Sequence, residues 1–184
     1  MPAIREPQLS RLDSFIERLQ VQRSVLDWAA EKIAGRDGIV LELGLGNGRT
    51  YDHLRERLPT RKIFAFDRQL AANPRSMPAS DALILGELED TLPEFARRHG
   101  SCAILVHVDL KIGVPELEKD APPWLVKNLA ALVRPGGIVL CDYELVVPLL
   151  SPMPLPASIG GNRYFAYETI AAIEPSCPST PRGV

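Results

Sequence analysis

Apolar residues recur at near-helical spacing over residues 9–33, at Leu12, Phe15, Ile16, Leu19, Leu26, Ala29, Ala30 and Ile33, with Arg, Glu and Gln between them. That spacing predicts one helix or two, closed by Gly35 and Gly38. The pattern then changes. Ile39-Val40-Leu41-Glu42-Leu43 is a short apolar run ending in glycines, which suits a strand buried on both faces. Residues 48–58 follow as a helix with Tyr51, Leu54 and Leu58 on one side, stopped by Pro59. Further strands are expected at 62–66, 82–85, 103–108 and 138–141. A helix at 91–98 carries the capping pattern Thr91-x-x-Glu94 and leaves at Gly100. Another, at 124–133, is introduced by Pro122-Pro123 and ended by Pro135-Gly136-Gly137. Residues 68–79 are awkward for a helix because Pro74 and Pro78 interrupt them. Continuously apolar strands alternating with helices predict an α/β fold: a doubly wound, Rossmann-like, mostly parallel sheet with helices on both faces and an N-terminal helical segment at 9–35.

After Asp142 the pattern weakens. Residues 145–158 are rich in proline, 162–167 read as one more strand, and 174–184 read as a frayed tail. A pair of antiparallel strands closing the sheet is not evident. The length of 184 residues predicts a single domain over 1–184 that folds without disulfides or metal. With 21 Lys+Arg against 23 Asp+Glu there is no basic excess, so nucleic acid is not expected as a partner. Cys102, Cys141 and Cys177 show no Cys-x-x-Cys spacing, and Cys102 and Cys141 read as small buried apolar residues at strand ends. His53, His99 and His107 are scattered, which leaves no zinc pattern. No secretory leader or bilayer-length apolar run is read, so the expected location is cytoplasmic, with no membrane partner.

The candidate chemistry lies where the strands end. In an open α/β sheet, ligands bind outside the carboxyl ends of the strands, near the reversal of strand order. Glu42/Gly44, Asp67, Gly86/Glu87, Asp109 and Asp142 all occupy such positions. The turn Gly44-Leu45-Gly46-Asn47-Gly48 lets a ligand approach the backbone. It departs from the dinucleotide fingerprint, since Arg49 stands where the third glycine belongs, and no Gly-Lys-Ser/Thr follows. Glu42 beneath the turn disfavours a pyrophosphate and suits a cation such as an amino group or a sulfonium. Asp67, at the end of the second strand, is placed to accept hydrogen bonds from ribose hydroxyls. These features ask for a ligand with a ribose and a positive, amino-acid-like part.

At this point the sequence resembles the class I S-adenosylmethionine-dependent methyltransferases, over roughly residues 40–142. The run from Val40 to Gly48 is similar to their first motif, whose glycines pass under the methionine part of the cofactor. Asp67 matches the ribose acid, Gly86-Glu87-Leu88 the segment addressing the adenine, and Asp109 the acid closing the fourth strand. Leu132-Val133-Arg134-Pro135-Gly136-Gly137 is similar to the turn before the fifth strand. The resemblance implies S-adenosyl-L-methionine as cofactor, held by Glu42, Gly44, Leu45, Gly46, Asn47, Gly48, Asp67, Glu87, Leu88 and Asp109. It also implies in-line methyl transfer to a small-molecule acceptor, with Asp109, Lys111 and Asp142 as candidates for the transfer itself. Asp109 and Asp142 further resemble part of the magnesium site of catechol-type O-methyltransferases, although Tyr143 stands where the third ligand, an Asn, belongs; no metal is the main expectation. The alternative is a cofactor-binding protein without transferase activity. His107, inside a buried strand, reads as a hydrogen-bonded core residue. The helix at 12–33, with Trp28 on its apolar side, and the proline-rich segment are two candidate covers for the site. A homodimer using residues 145–167 is expected, with the same residues covering the sheet edge as the alternative.

Overall fold

The computed structural model describes residues 10–111, 120–159 and 164–170. Chain order runs α1 (Arg11–Lys32), β1 (Ile39–Leu43), α2 (Arg49–Arg57), β2 (Ile63–Asp67), β3 (Leu83–Leu85), α3 (Leu88–His99), β4 (Ala103–Val108), α4 (Pro123–Leu132), β5 (Val133–Cys141), β6 (Leu150–Met153) and β7 (Phe165–Thr169). The strands form one sheet in the order β3-β2-β1-β4-β5-β7-β6. The first five are mutually parallel; β7 runs antiparallel between β5 and β6. Strand order reverses between β1 and β4, so the crevice for a ligand opens at the carboxyl ends of those two strands.

Strand periodicity divides the core in two. Leu41 and Leu43 of β1, with Val106 and Val108 of β4, face α3 and α4, where they meet Leu92, Phe95, Leu125 and Leu129. Val40 and Leu105 face α1 and α2 and pack with Val25, Leu26, Ala29 and Leu54. Each such fully buried side chain contributes about 1.5–3 kcal/mol. Glu42 and His107 share the parity of Val40 and Leu105, so two ionisable side chains point into the α1–α2 face, where they are directly paired across β1 and β4.

The doubly wound fold is as expected, with instructive differences. The first segment is one helix, its start capped by the Ser10 hydroxyl, which accepts from the Asp13 amide. Leu12, Phe15 and Ile16, expected on its apolar face, are exposed. α3 begins at Leu88 with Glu87 as its cap residue, so the Thr91–Glu94 box does not form; Thr91 instead donates its hydroxyl proton to the Glu87 carbonyl. Between β2 and β3 only a single 3-10 turn forms, at Pro74–Ser76. β3 lies at the sheet edge and is half-exposed rather than buried on both faces. β5 begins at Val133, so Pro135-Gly136-Gly137 lies within an irregular strand and not in a turn before it. Two antiparallel strands are present: β7 overlaps the strand expected at 162–167, whereas β6, with Pro152 inside it, was not expected from the sequence. Cys141 is buried; Cys102 is only half-buried. The tail expected at 174–184 lies outside the described residues.

Candidate functional site

The turn after β1 is built on left-handed backbone. Gly44, Gly46 and Gly48 have φ of 94°, 49° and 85°. At Gly44 a Cβ would stand 2.3 Å from the Asp109 carbonyl oxygen, so the ends of β1 and β4 touch only because this residue lacks a side chain. At Gly48 a Cβ would meet Ser76 of the 3-10 turn at 2.8 Å. Gly46 is different: nothing stands within 4 Å of its missing Cβ, and the residue is exposed. The turn therefore closes tightly at its two ends and presents an open cradle in the middle. Asn47 ties it to the next loop, its carbonyl accepting from the Asn73 amide. Gly48 gives α2 no side-chain cap.

Asp67, at the mouth of β2, is fastened to this cradle. Its Oδ2 accepts from the Gly46 amide at 2.7 Å, and its Oδ1 from the Gln69 amide at 3.3 Å. Each carboxylate oxygen keeps lone-pair capacity for a ligand hydroxyl. Glu87 is exposed at the mouth of β3, 3.9 Å from Arg68. The side chain of Leu88 is buried in the core, which leaves its backbone as the part a ligand can reach.

Beneath the cradle runs a chain of polar side chains that only partly appears in the sequence reading. Glu42 is wholly buried. Thr50 donates to its Oε1, and His107 Nδ1 lies 2.7 Å from its Oε2. The carboxylate is thus met inside the protein and not by facing a ligand, as the argument from its charge expected. The other ring nitrogen, His107 Nε2, is 3.3 Å from the Tyr164 hydroxyl. That hydroxyl accepts from Gln22 Nε2 at 2.8 Å, and Gln22 Nε2 also donates to Asp109 Oδ2 at 2.7 Å. Arg18 Nη2 donates to Asp109 Oδ1 at 2.9 Å. Burial alone draws the His107 pKa down, but the charge and hydrogen bond of Glu42, with Asp109 and Asp142 adding, carry it above the ordinary imidazole value. Burial, reinforced by Asp109, lifts the Tyr164 phenol well above its usual value. His107 is the hydrogen-bonded core residue expected. Arg18, Gln22 and Tyr164 were missed; the only local signal was that Arg18 and Gln22 are polar residues of a periodic helix.

Asp142, at the mouth of β5, is also buried. Its Oδ2 accepts from the amides of Leu110 and Lys111, at 3.1 and 2.8 Å, while Oδ1 has no hydrogen-bond partner among the described residues. Burial, opposed by the Lys111 amide and helped by the Asp109 charge, pushes its pKa up to about 6. The Lys111 ammonium lies 4.5 Å from the centre of the Tyr143 ring. The structure thus brings Asp109, Lys111 and Asp142 to adjoining strand ends, and sets Gly44–Gly48 beside Asp67. No cluster of three or more His, Cys, Asp or Glu side chains fit for a metal occurs among the described residues. Arg18 already neutralises Asp109, a poor start for a magnesium ligand.

A glycine turn at the switch point, with an acid at the end of the neighbouring strand, defines a nucleoside-binding α/β protein. The comparisons carry this further. Residues 9–169 match the family model for S-adenosyl-L-methionine methyltransferase, and the chain belongs to that family. It is 37% identical to an S-adenosyl-L-methionine methyl transferase from Silicibacter pomeroyi, with 88% of this chain and 99% of that one covered and a TM-score of 0.81. It shares the fold, at 12% identity and a TM-score of 0.54, of the 1,6-didemethyltoxoflavin-N1-methyltransferase of Burkholderia thailandensis, covering 91% of this chain and 94% of that one. No curated protein matches. The protein is therefore an S-adenosylmethionine-dependent methyltransferase, and a cofactor binder without transferase activity finds no support in these matches.

Proposed function

We propose that S-adenosylmethionine lies over Gly44-Leu45-Gly46-Asn47-Gly48, with its ribose on Asp67, its adenine against the Glu87–Leu88 backbone and its amino-acid end toward Asp109, and that a small-molecule acceptor approaches from the side of Asp142. The observation that carries the placement is the Gly46 amide on Asp67, which fixes a carboxylate beside an open cradle. Glu42 serves this arrangement from below, by holding Thr50 and His107. When bound, the cofactor supplies a sulfonium-activated methyl group that an acceptor displaces in line. The chain's part is then mainly positioning and exclusion of water. Asp142, with one oxygen unpartnered among the described residues and a pKa near 6, is fitted to take up a proton lost by the acceptor and become neutral, and Lys111 favours the carboxylate form that receives it. No metal is assigned a role.

A groove of about 460 Å³ at the same end of the sheet supports a small, largely apolar acceptor. Leu145, Met153, Leu155, Tyr164 and Phe165 wall it, and Glu144 supplies one charge. The formal net charge of −2 gives no reason to choose nucleic acid instead. A homodimer and a cytoplasmic location belong to the same reading; fractionation tests the second. The cofactor placement is tested by titrating S-adenosylhomocysteine into wild type and Asp67→Ala. The expected loss is at least about tenfold in affinity, since hydrogen bonds to a charged group of roughly 1.5–3 kcal/mol each disappear. Undiminished binding by Asp67→Ala overturns it.

A further inference from the structure

One side-chain nitrogen joins the two halves of the site. Gln22 Nε2 donates to Asp109 Oδ2 at 2.7 Å and to the Tyr164 hydroxyl at 2.8 Å. In the arrangement proposed above, Asp109 faces the cofactor, and Tyr164 walls the acceptor groove. We propose that Gln22 is a positioning residue, locking the groove wall to Asp109 so that the acceptor is held in register with the occupied cofactor site. The inference rests on that cofactor placement and that groove.

The chemistry of the contacts leaves the amide one orientation. A carboxylate paired with Arg18 only accepts, so it must meet the NH2 group of Gln22 and not its carbonyl. Both hydrogens of that group are then committed, one to each partner. Gln22 is 4% exposed and Tyr164 5%, so water has little access to replace either bond. The link continues inward. The Tyr164 hydroxyl meets His107 Nε2 at 3.3 Å, and the two rings stack with centres 5.7 Å apart, 15° from parallel. On the far side of the imidazole, the Glu42 carboxylate keeps a proton on Nδ1, so a change at the Tyr164 hydroxyl registers at Nε2.

Topology explains why such a tie is useful. Asp109 follows β4 and Tyr164 precedes β7, with the whole of β5 between those strands. Gln22 spans that gap from α1, on the helix-covered face. A displacement in line tolerates little error: a misplacement of about 1 Å can cost roughly a hundredfold in rate. An ammonium drawn to Asp109 competes for the oxygen that Gln22 holds, and the amide passes that change to Tyr164.

The test follows the ring nitrogens of His107 by 15N NMR, with saturating S-adenosylhomocysteine and with saturating 5′-methylthioadenosine, which lacks the amino-acid end. His107 is fully buried, so neither ligand touches it. In wild type, S-adenosylhomocysteine is expected to shift the Nε2 signal and 5′-methylthioadenosine to leave it in place. Gln22→Leu and Tyr164→Phe are expected to bind S-adenosylhomocysteine with the signal unmoved from that of their own free forms. Tyr164→Phe keeps the ring and its stack, and it alone decides should Gln22→Leu not fold. A shift in Tyr164→Phe as large as in wild type overturns the proposal. So does an equal shift with both ligands, which would trace the signal through the glycine turn, Thr50 and Glu42 instead. An unmoved signal in wild type saturated with S-adenosylhomocysteine overturns it too. If wild type does not bind S-adenosylhomocysteine at all, the underlying cofactor placement fails, and this inference with it.

Discussion

Glu42 and His107 face each other across β1 and β4 at full burial, and neither could stay there alone. An uncompensated buried charge costs about 3–5 kcal/mol. His107→Leu should therefore destabilise the fold by that amount in urea denaturation, and adding Glu42→Gln should recover part of the loss. Tyr164→Phe, which removes only a hydroxyl, is expected to cost about 1 kcal/mol. A single variant His107→Leu as stable as wild type would contradict the pairing. Asp142 yields a pH prediction. Its pKa is raised in the fold to about 6 from an ordinary 3.8, so its protonated form is the one folding favours. Its contribution is fully present below the ordinary value and is lost as pH rises through about 6. Asp142→Asn should flatten that part of the stability profile, measured as urea midpoints from pH 4 to 7; parallel profiles for the two proteins would count against it. The glycine turn and Asp67 were legible in the sequence because their relation is local and governed by one strand–turn–helix unit. Gln22 and Tyr164 were not, because each acquires its role only from a partner 142 residues away.

At the scale of elements, α1 packs through Val25, Leu26 and Ala29 and carries two polar fastenings besides. Asp27 takes both His53 and Arg57 of α2, at 2.9 and 2.6 Å. Just beyond α1, Arg61 donates to the carbonyls of its cap residue Ile33 and of Arg36 and Gly38 in the loop that leads to β1. Arg61→Ala is expected to cost about 1–3 kcal/mol through those orphaned carbonyls, read as a lowered urea midpoint; a neutral result would show that water replaces the guanidinium freely. The same scale explains where the patterns misled. Apolar runs identified the five parallel strands, and in all but the edge strand β3 burial on both faces leaves no alternation to interpret. β6 escaped because Pro152 and Pro154 argue against a strand, yet an edge position tolerates a missing amide. The start of α3 was placed late because the Thr91–Glu94 spacing imitates a cap, whereas the backbone bends into the helix at Glu87.

For the whole molecule, the proposed homodimer has a definite location. Val146, Leu149 and Ile170 are exposed apolar residues around β6 and β7; Leu149 and Ile170 meet at the opposite end of that ladder from the groove. Pro152 denies the outer strand one ladder donor, so association there would proceed through side chains and not by continuing the sheet. Light scattering at micromolar concentration should give twice the chain mass of 20.3 kDa, and Leu149→Glu with Ile170→Glu should return it to that mass. A wild-type mass of 20.3 kDa, with or without cofactor, ends the proposal.

The meeting of Gln22 with Tyr164 also bears on the order in which the enzyme is made. A ribosome delivers the glycine turn, Asp67 and all five parallel strands before the residues of β7, and β7 must then enter between β5 and an already synthesised β6. Until it does, the second ring nitrogen of His107 lacks its hydroxyl partner, and Gln22 has only Asp109 to hold. Such non-local closure is slow compared with local helix formation. The end of the sheet that carries the candidate site is thus completed by β7, the last strand in chain order among the described residues, so the frame beneath the cradle cannot close before Thr169 has been made.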